Sequence, residues 1–393
     1  MIQLHLTEGG PPLIRSLDEG TGDALSRSGV VSAIRLGGDD WEIAAGSKIG
    51  VALIHDVQLW IRPKIDIARV MFLLGYAKDP GWLIDSTLMA EVPDFVPALA
   101  GAFADQAERA LEGGRLQGYA EINDSLTVVR GRIREQEQMS RHFGIALPLL
   151  VRFDEYTTDI AENRILLAAT EMLLRLTGIP SSIRLRLRRI RRTLGDVSAP
   201  IRGSGLPQWS PNRLNTKYHV ALWLAELLLK ENAVDQTPGD VHVNGFLVDM
   251  AKVFEDFVTA AMTNSLKPFG GWTRCQDRHF LDVDDEILMK PDLVWYLDGK
   301  PAAVIDAKYK SEKHAGFPNA DLYQVLAYCT ALELTRGHLI YARGNELEMA
   351  HVVRHASIRI HTRTLDLNAP ASDILSQLDV MACEIASQVS VSM

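Results

Sequence analysis

Along the first 75 residues apolar and polar positions alternate in short runs punctuated by Gly and Asp, as in GVVSAIRLGG (29–38) and WEIAAGSKIGVALIHDVQLWIRPKI (41–65). A period of two broken by turn residues predicts short strands, and hence a small β-rich module over 1–75. From Ile67 the period lengthens. IARVMFLLGYA and DFVPALAGAFADQAERALEGG return an apolar residue every three or four positions, the stripe a helix lays against a core. A mainly helical middle domain is therefore expected over 76–200. It contains a β excursion, YAEINDSLTVVRGRIR, followed by DEYTTDIAENRILLAATEMLLRL, which reads as a helix. In that segment Asp159 and Glu162 have capping-box spacing, and Ile165, Leu166, Ala169, Met172 and Leu173 form the apolar face.

VSAPIRGSGLPQWSPNR (197–213), rich in Pro and Gly, predicts a linker, and with a helix at about 216–232 it fills the interval 201–240. The last domain, 241–393, opens on a helical pattern, LVDMAKVFEDFVTAAMTNSL, and continues through DLVWYL, PAAVIDAKY, GHLIYA and SIRIHTRTLDL as strands. Helices flanking strands on both sides predict a mixed α/β sheet. The expected fold class is thus an α/β multidomain protein.

At 393 residues, 47% hydrophobic and 23% charged, the chain has the make-up of a soluble globular protein of two or three domains. Its three cysteines, Cys275, Cys329 and Cys383, lie far apart, which argues for a reducing compartment and against structural zinc. The N-terminus lacks a leader pattern, and the longest apolar run, VALWLAELLL (220–229), is about half a membrane span, so a cytoplasmic protein without a membrane partner is expected. The net charge of −9 would repel DNA if spread evenly. SIRLRLRRIRRTLG is the exception: six arginines between Arg184 and Arg192 are interleaved with Leu185, Leu187 and Ile190. Either this is the solvated side of an amphipathic element or it is a surface for phosphates.

The chemistry concentrates in KPDLVWYLDGKPAAVIDAKYK (290–310). Acid-x-Lys occurs twice. Asp298-Gly299-Lys300 is explained as a turn, because Gly supplies a positive φ between strands. Asp306-Ala307-Lys308 instead closes an apolar strand, and on a strand residues i and i+2 share a face, so Asp306 and Lys308 point the same way. A three-residue loop, Asp298 to Lys300, would pair Leu297 with Pro301 and set Asp292 opposite Asp306; a two-residue loop would put the two acids on opposite faces. Paired carboxylates repel unless a cation lies between them, and they leave room for the water and phosphate oxygens Mg²⁺ prefers. Asp292 and Asp306 are thus candidate metal ligands, and Lys308 is a candidate to hold the nucleophile or to offset developing charge in phosphodiester hydrolysis. Glu255, in KVFEDF, is a third candidate ligand, and Gln324 and Tyr328, four apart in LYQVLAY, are candidates to orient substrate or the lysine. The alternative is a hairpin with solvated charged ends. Two other pairs, Cys275 with His279 and His351 with His355, have ligand-like spacing but cannot complete a zinc set locally. A serine hydrolase is disfavoured, since no Gly-x-Ser-x-Gly occurs.

The order Glu255, Pro291-Asp292, Asp306-x-Lys308, Gln324-x-x-x-Tyr328 resembles the PD-(D/E)xK nucleases, in the branch that carries a QxxxY helix. More narrowly, IDAKYK, LYQVLAY, VFEDFV and, upstream, VRGRIR followed by DEYTTDIAENRIL are similar to the McrC family, nuclease subunits of modified-cytosine restriction systems, and the resemblance runs from about Ile61 to the C-terminus. It implies an Mg²⁺-dependent endonuclease acting on DNA, with Asp292, Asp306, Lys308, Gln324 and Tyr328 as catalytic residues and Asp292, Asp306 and Glu255 at the metal. It also implies an McrB-like AAA+ GTPase partner, whose hydrolysis such subunits stimulate, a homodimer in the assembled complex, and a motor contact in the middle domain. The sequence contains no GxxxxGK[ST], so the motor must be another chain. Two other readings stay open: a stand-alone nuclease for DNA ends or junctions, and a non-cutting scaffold that activates an AAA+ partner.

Overall fold

The computed structural model describes residues 1–78, 80, 94–142, 147–176, 178–199, 205–231, 243–309, 319–342 and 349–390. The chain divides into two compact units, Met1–Phe95 with Val234–Met393, and Val96–Ala233. The chain opens with β1 (Ile2–Thr7), β2 (Leu13–Ser16), α1 (Glu19–Arg27), β3 (Val31–Gly37), β4 (Asp40–Ala45), β5 (Lys48–Ile54), β6 (Val57–Arg62) and α2 (Ile67–Lys78). β2, β4 and β3 form one small antiparallel sheet. β1, β6 and β5 belong to another, and both bury their apolar sides in a shared cluster that includes Leu25, Ile43, Ile54 and Leu59.

The unit 96–233 holds α3 (Phe95–Leu111), β7 (Gly118–Leu126), β8 (Arg132–Ile133), α4 (Glu135–His142), β9 (Leu149–Thr157), α5 (Ala161–Arg175), α6 (Ser181–Thr193) and α7 (His219–Glu231). The β excursion is thus a three-stranded sheet of order β7-β9-β8. Within VRGRIR, Gly131 has φ +70°, and a Cβ there would stand 2.2 Å from the Arg152 carbonyl oxygen, so glycine is obligatory at that turn. Arg130 lies 3.9 Å over the Phe153 ring.

The expected helix over DEYTTDIAENRIL needs correction at its start. DEYT ends strand β9, and α5 begins at Ala161 with Ile160 as an N-cap that makes no side-chain bond. Asp159 does not close a capping box. Its carboxylate takes both guanidinium arms of Arg164 at 2.7 and 2.8 Å and the Ser198 amide at 2.9 Å, which holds its pKa at about 2. Bidentate pairing with arginine takes both oxygens, and the Ser198 amide rather than a first-turn amide of α5 shares Oδ1. The expected linker also changes: part of it, 200–204, lies outside the described residues, but beyond it Trp209 donates to Glu226 on α7 and Asn215 donates to Glu162 on α5. Trp209 and the buried Asn215 tie this otherwise largely exposed segment to the unit. The rest of the interval 201–240, from 232 on, lies outside the described residues.

The chain then returns with β10 (Val243–Asp249), α8 (Met250–Leu266), β11 (Trp272–Cys275), β12 (His279–Phe280), β13 (Leu288–Met289), β14 (Leu293–Leu297), β15 (Lys300–Lys308), α9 (Asn319–Ala331), β16 (Arg336–Ala342), β17 (Met349–Val352), β18 (Arg359–Leu365) and α10 (Ala371–Ser390). Six strands form a mixed sheet of order β11-β14-β15-β16-β18-β17, with β15, β16 and β18 parallel. Val294, Val304, Leu339, Tyr341 and Ile360 pack with Val325, Tyr328 and Cys329 of α9. The alternate positions, Leu293, Trp295, Ile305 and Ile340, are buried on the opposite face, the side of α8 and α10. The predicted mixed sheet with helices on both faces is what forms.

The N-terminal module is not separate from it. β10 adds antiparallel to β5, making the order β1-β6-β5-β10, so the segments expected as separate domains, 1–75 and 241–393, belong to one unit, and the boundaries with the other unit fall after Phe95 and before Val234. Glycine permits the join. A Cβ on Gly245 would stand 2.1 Å from the Val51 carbonyl oxygen, and one on Gly50, at φ +128°, 2.1 Å from that of Phe246. Gly245→Ala should therefore destabilise this unit by about 3 kcal/mol or more, because backbone rather than a flexible side chain must move. Calorimetry should show the transition of this unit shifted down and that of 96–233 in place; a superimposable trace would refute the clash.

Candidate active site

The β14–β15 hairpin turns in two residues, not three. Leu297 pairs with Lys300, and Asp298 and Gly299 have φ of +48° and +77°, the left-handed pair of a tight hairpin turn. That alone would place Asp292 and Asp306 on opposite faces. A β-bulge restores the register. Tyr296 pairs with Pro301 and Trp295 with Ala303, so Ala302 is the extra residue, and Leu293 then pairs with Ile305. Continued by one step, Asp292 stands across from Asp306. Pro301 has no N–H to give the ladder, which explains why the irregularity falls beside it.

Asp306 is 0% exposed, so the reading of solvated hairpin ends is ruled out. Lys308 Nζ stands 2.6 Å from its Oδ2, as the shared strand face requires. Asp292, 7% exposed, accepts from the Ala307 amide at 2.9 Å through Oδ2 and from Gln276 Nε2 at 2.9 Å through Oδ1. Burial and the neighbouring Asp306 push the Asp292 carboxyl up to about 6. Burial also raises Asp306, against the lowering pull of Lys308 and of the bond to Asp292. For Lys308, burial opposes the charged form, but Asp306, Asp292 and Asp321 outweigh it and raise its pKa.

On α9, Gln324 Nε2 donates to Tyr328 Oη at 2.6 Å, and Tyr328 Oη reaches the Lys290 carbonyl oxygen at 3.4 Å. Tyr328 is buried and held up to about 12 by that burial and by Asp306, so it is a neutral phenol at the edge of the acid pair. Glu255, half-buried on α8, is linked indirectly. Its Oε1 accepts from Gln276 Nε2 at 2.7 Å and from Lys252 Nζ at 3.2 Å, and burial with the charge of Asp292 raises its pKa.

Two residues escaped the sequence reading. Gln276 follows β11 with φ +49°; its backbone N–H donates to the Asp292 carbonyl oxygen at 3.2 Å while its side chain bridges Glu255 and Asp292. No spacing pattern points to it. Asp321 is 6% exposed, accepts from Tyr341 Oη at 3.0 Å, and acts electrostatically on both Asp306 and Lys308. It lies three before Gln324 and seven before Tyr328, a helical spacing that would have flagged it.

The site thus gathers three buried carboxyl groups, Asp292, Asp306 and Asp321, around one lysine. Among the described residues, apart from the bond to Asp292, neither Asp306 oxygen has a hydrogen-bonding partner beyond the ion pair to Lys308. A buried, under-satisfied carboxylate facing a second one fits a hard divalent cation. Among the described residues no three His, Cys, Asp or Glu side chains form a group able to hold a metal ion. The donor set the geometry offers is therefore the pair Asp292 and Asp306, with Glu255 turned to Gln276 and Lys252. The spacings Cys275/His279 and His351/His355 build no metal group either: Cys275 and His279 end and begin different strands, and His351 lies on β17 with His355 in the turn beyond it.

The chain is an α/β protein of the McrBC 5-methylcytosine restriction system component family, whose model matches residues 43–342. Its fold is that of the McrC assemblies. It is similar to a chain of the refined half-complex from the tetradecameric assembly of Thermococcus gammatolerans McrB AAA+ hexamers with bound McrC, at 18% identity and TM-score 0.62, covering 98% of this chain and 100% of that one. A chain of the cryo-EM structure of the Thermococcus gammatolerans McrBC complex matches at 19% identity and TM-score 0.42, covering 67% of this chain and 88% of that one. No curated protein matches. Among the described residues no helix is long and apolar enough to cross a membrane.

The raised Asp292 carboxyl fixes a pH dependence. Folded Asp292 holds its proton up to about pH 6 whereas the unfolded chain releases it near 4, so without divalent cations folding loses stability as pH rises through that window. Asp292→Asn removes the titration. In chelator, the stability of Asp292→Asn relative to wild type should improve between pH 4.5 and 7, by up to about 3 kcal/mol. A gap that stays flat in denaturant melts would mean that the carboxyl is not perturbed.

Proposed function

We propose that the chain is the Mg²⁺-dependent DNA endonuclease subunit of a two-component, modification-dependent (type IV) restriction system. In this reading it works in the cytoplasm with, and stimulates, an McrB-like AAA+ GTPase, and forms a homodimer in the assembled complex. One observation carries the catalytic part: Asp306, wholly buried, is set against Asp292 on one side and Lys308 on the other. A structural hairpin gains nothing by burying two facing acids, and a site for a cation and a phosphate needs them. Family membership supports the restriction system. The relative bound to AAA+ hexamers, together with the lack of a P-loop in this sequence, supports a separate motor.

Asp292 and Asp306 would hold Mg²⁺, which on binding supplies charge neutralisation at the scissile phosphate and lowers the pKa of a coordinated water. Lys308, kept protonated by its acids, is placed to offset charge that develops on phosphate oxygens. Tyr328, neutral and bonded to Gln324, holds the helix side of the site and offers a donor beside it. Gln276 fixes the Asp292 carboxylate through Oδ1 and leaves Oδ2 to the Ala307 amide, so the acid enters the site in one rotamer. The unit 96–233, with the Arg130–Arg134 turn, is assigned to the motor contact.

The test is cleavage of 5-methylcytosine-containing and unmodified plasmid, with and without the partner and GTP. Asp306→Ala should lower cutting by at least about 10²–10³-fold while leaving stimulation of the partner GTPase intact. Normal cutting by this variant would remove the proposed site, and cutting of unmodified DNA by the lone wild-type chain would favour a stand-alone nuclease. Mg²⁺ at pH 7 should also raise the melting temperature of wild type but not of Asp306→Asn; equal shifts would place the ion elsewhere.

A further inference from the structure

Helix α6 leaves a charge problem unsolved. Of its six arginines, two are consumed inside the unit: Arg184 donates to the carbonyls of Leu174 and Leu176 at 2.8 and 3.0 Å, and Arg186 spans Asp105 and Glu108 on α3. Leu187 and Ile190 are buried beneath. The other four, Arg188, Arg189, Arg191 and Arg192, are all exposed, and among the described residues none of their guanidinium groups has an ion-pair or hydrogen-bond partner. At 100° per residue they fall within an arc of about 160°, opposite the buried pair, with the exposed Leu185 one turn before them.

Like charges three and four residues apart on a helix repel, and the pairs 188/191, 188/192 and 189/192 all have that spacing. One or two cations in a last turn answer the helix dipole; four exceed that need. The sequence has 50 acidic residues against 41 basic ones, yet among the described residues no carboxylate pairs with this stripe. A rigid mount, tied by Arg186 to two acids, carries an uncompensated cationic face. Four charges within about 6 Å of helix axis match a duplex, which presents one phosphate charge per about 1.7 Å. Guanidinium forks suit phosphate oxygens, and no base-reading amide or acid accompanies them.

We propose that Arg188, Arg189, Arg191 and Arg192 form a sequence-independent contact with the phosphate backbone of duplex DNA, on the unit that does not carry the acid pair. This deepens the proposed function, since it rests on DNA as the substrate, and it gives the nuclease chain its own hold on DNA apart from any motor.

The experiment is fluorescence-anisotropy titration of an unmodified duplex with the full-length chain in chelator, from roughly 50 to 200 mM NaCl. The fourfold glutamine variant (R188Q, R189Q, R191Q, R192Q) should lower the magnitude of the slope of log K against log salt by up to about 3.6, at about 0.9 for each of four phosphates no longer neutralised, and a fourfold lysine variant should keep it. An unchanged slope in the glutamine variant, a reduced slope in the lysine variant as well, or no salt-dependent binding by wild type would each overturn the proposal. So would normal DNA binding by the glutamine variant with abolished stimulation of the AAA+ partner, which would assign the stripe to protein. Asp306→Ala separates the two readings. Abolished cutting there, with an unchanged slope in the glutamine variant, rejects the stripe alone, and normal cutting there with a reduced slope rejects the acid pair alone.

Discussion

Asp306 is the point on which the site turns: a carboxylate with no solvent exposure, in the middle strand of a six-stranded sheet, facing a second carboxylate across the hairpin. Burial of this kind is costly unless compensation is close. Lys308 supplies one positive charge from the same strand face, and Asp321 enters from α9 as a further acid. Burial and the neighbouring Asp306 raise Asp292, the surrounding acids keep Lys308 protonated against burial, and burial with Asp306 holds Tyr328 neutral. In the proposed function a divalent cation between the two acids relieves this burial of like charges.

The geometry that sets this charge arrangement is a backbone irregularity. A two-residue turn and a one-residue bulge each reverse the facing of side chains, and together they cancel. The acids therefore meet although the turn by itself would part them. Packing then locks the result: Trp295 and Ile305 are fixed on one face, Val294 and Val304 on the other, and a slip by one residue would send all four to the opposite faces, where the cores are already filled. Gln276, with its positive φ, closes the outer side by joining Asp292 to the helix acid Glu255.

The two units divide labour in charge as well as in fold. Acids concentrate at the sheet end of one, whereas in the other, among the described residues, α6 exposes four unpaired arginines, and Arg130 and Arg134, beside Gly131 and the Phe153 ring, are paired with Glu155 and Glu137. For a chain of net charge −9 that separation is what makes contact with a polyanion feasible.

Much of this was legible in the residues. Alternation and helical spacing located the β-rich start, the helices and the last sheet, because burial on one face imposes those periods locally. Acid-x-Lys at the end of an apolar strand singled out Asp306 and Lys308, since a period of two fixes their common face. Where a competitor for the same atoms lay nearby, local reading failed: Asp159 had capping spacing, but Arg164 claims both of its oxygens. The joining of β10 to β5, the bulge at Ala302, the approach of Asp321 and the bridge through Gln276 depend on groups distant in the chain or on a positive φ that no pattern encodes. The sequence by itself determined which strand carries the acid and the lysine; only the tertiary structure decided that a second acid faces them, because pairing register is settled by packing across strands and not along one.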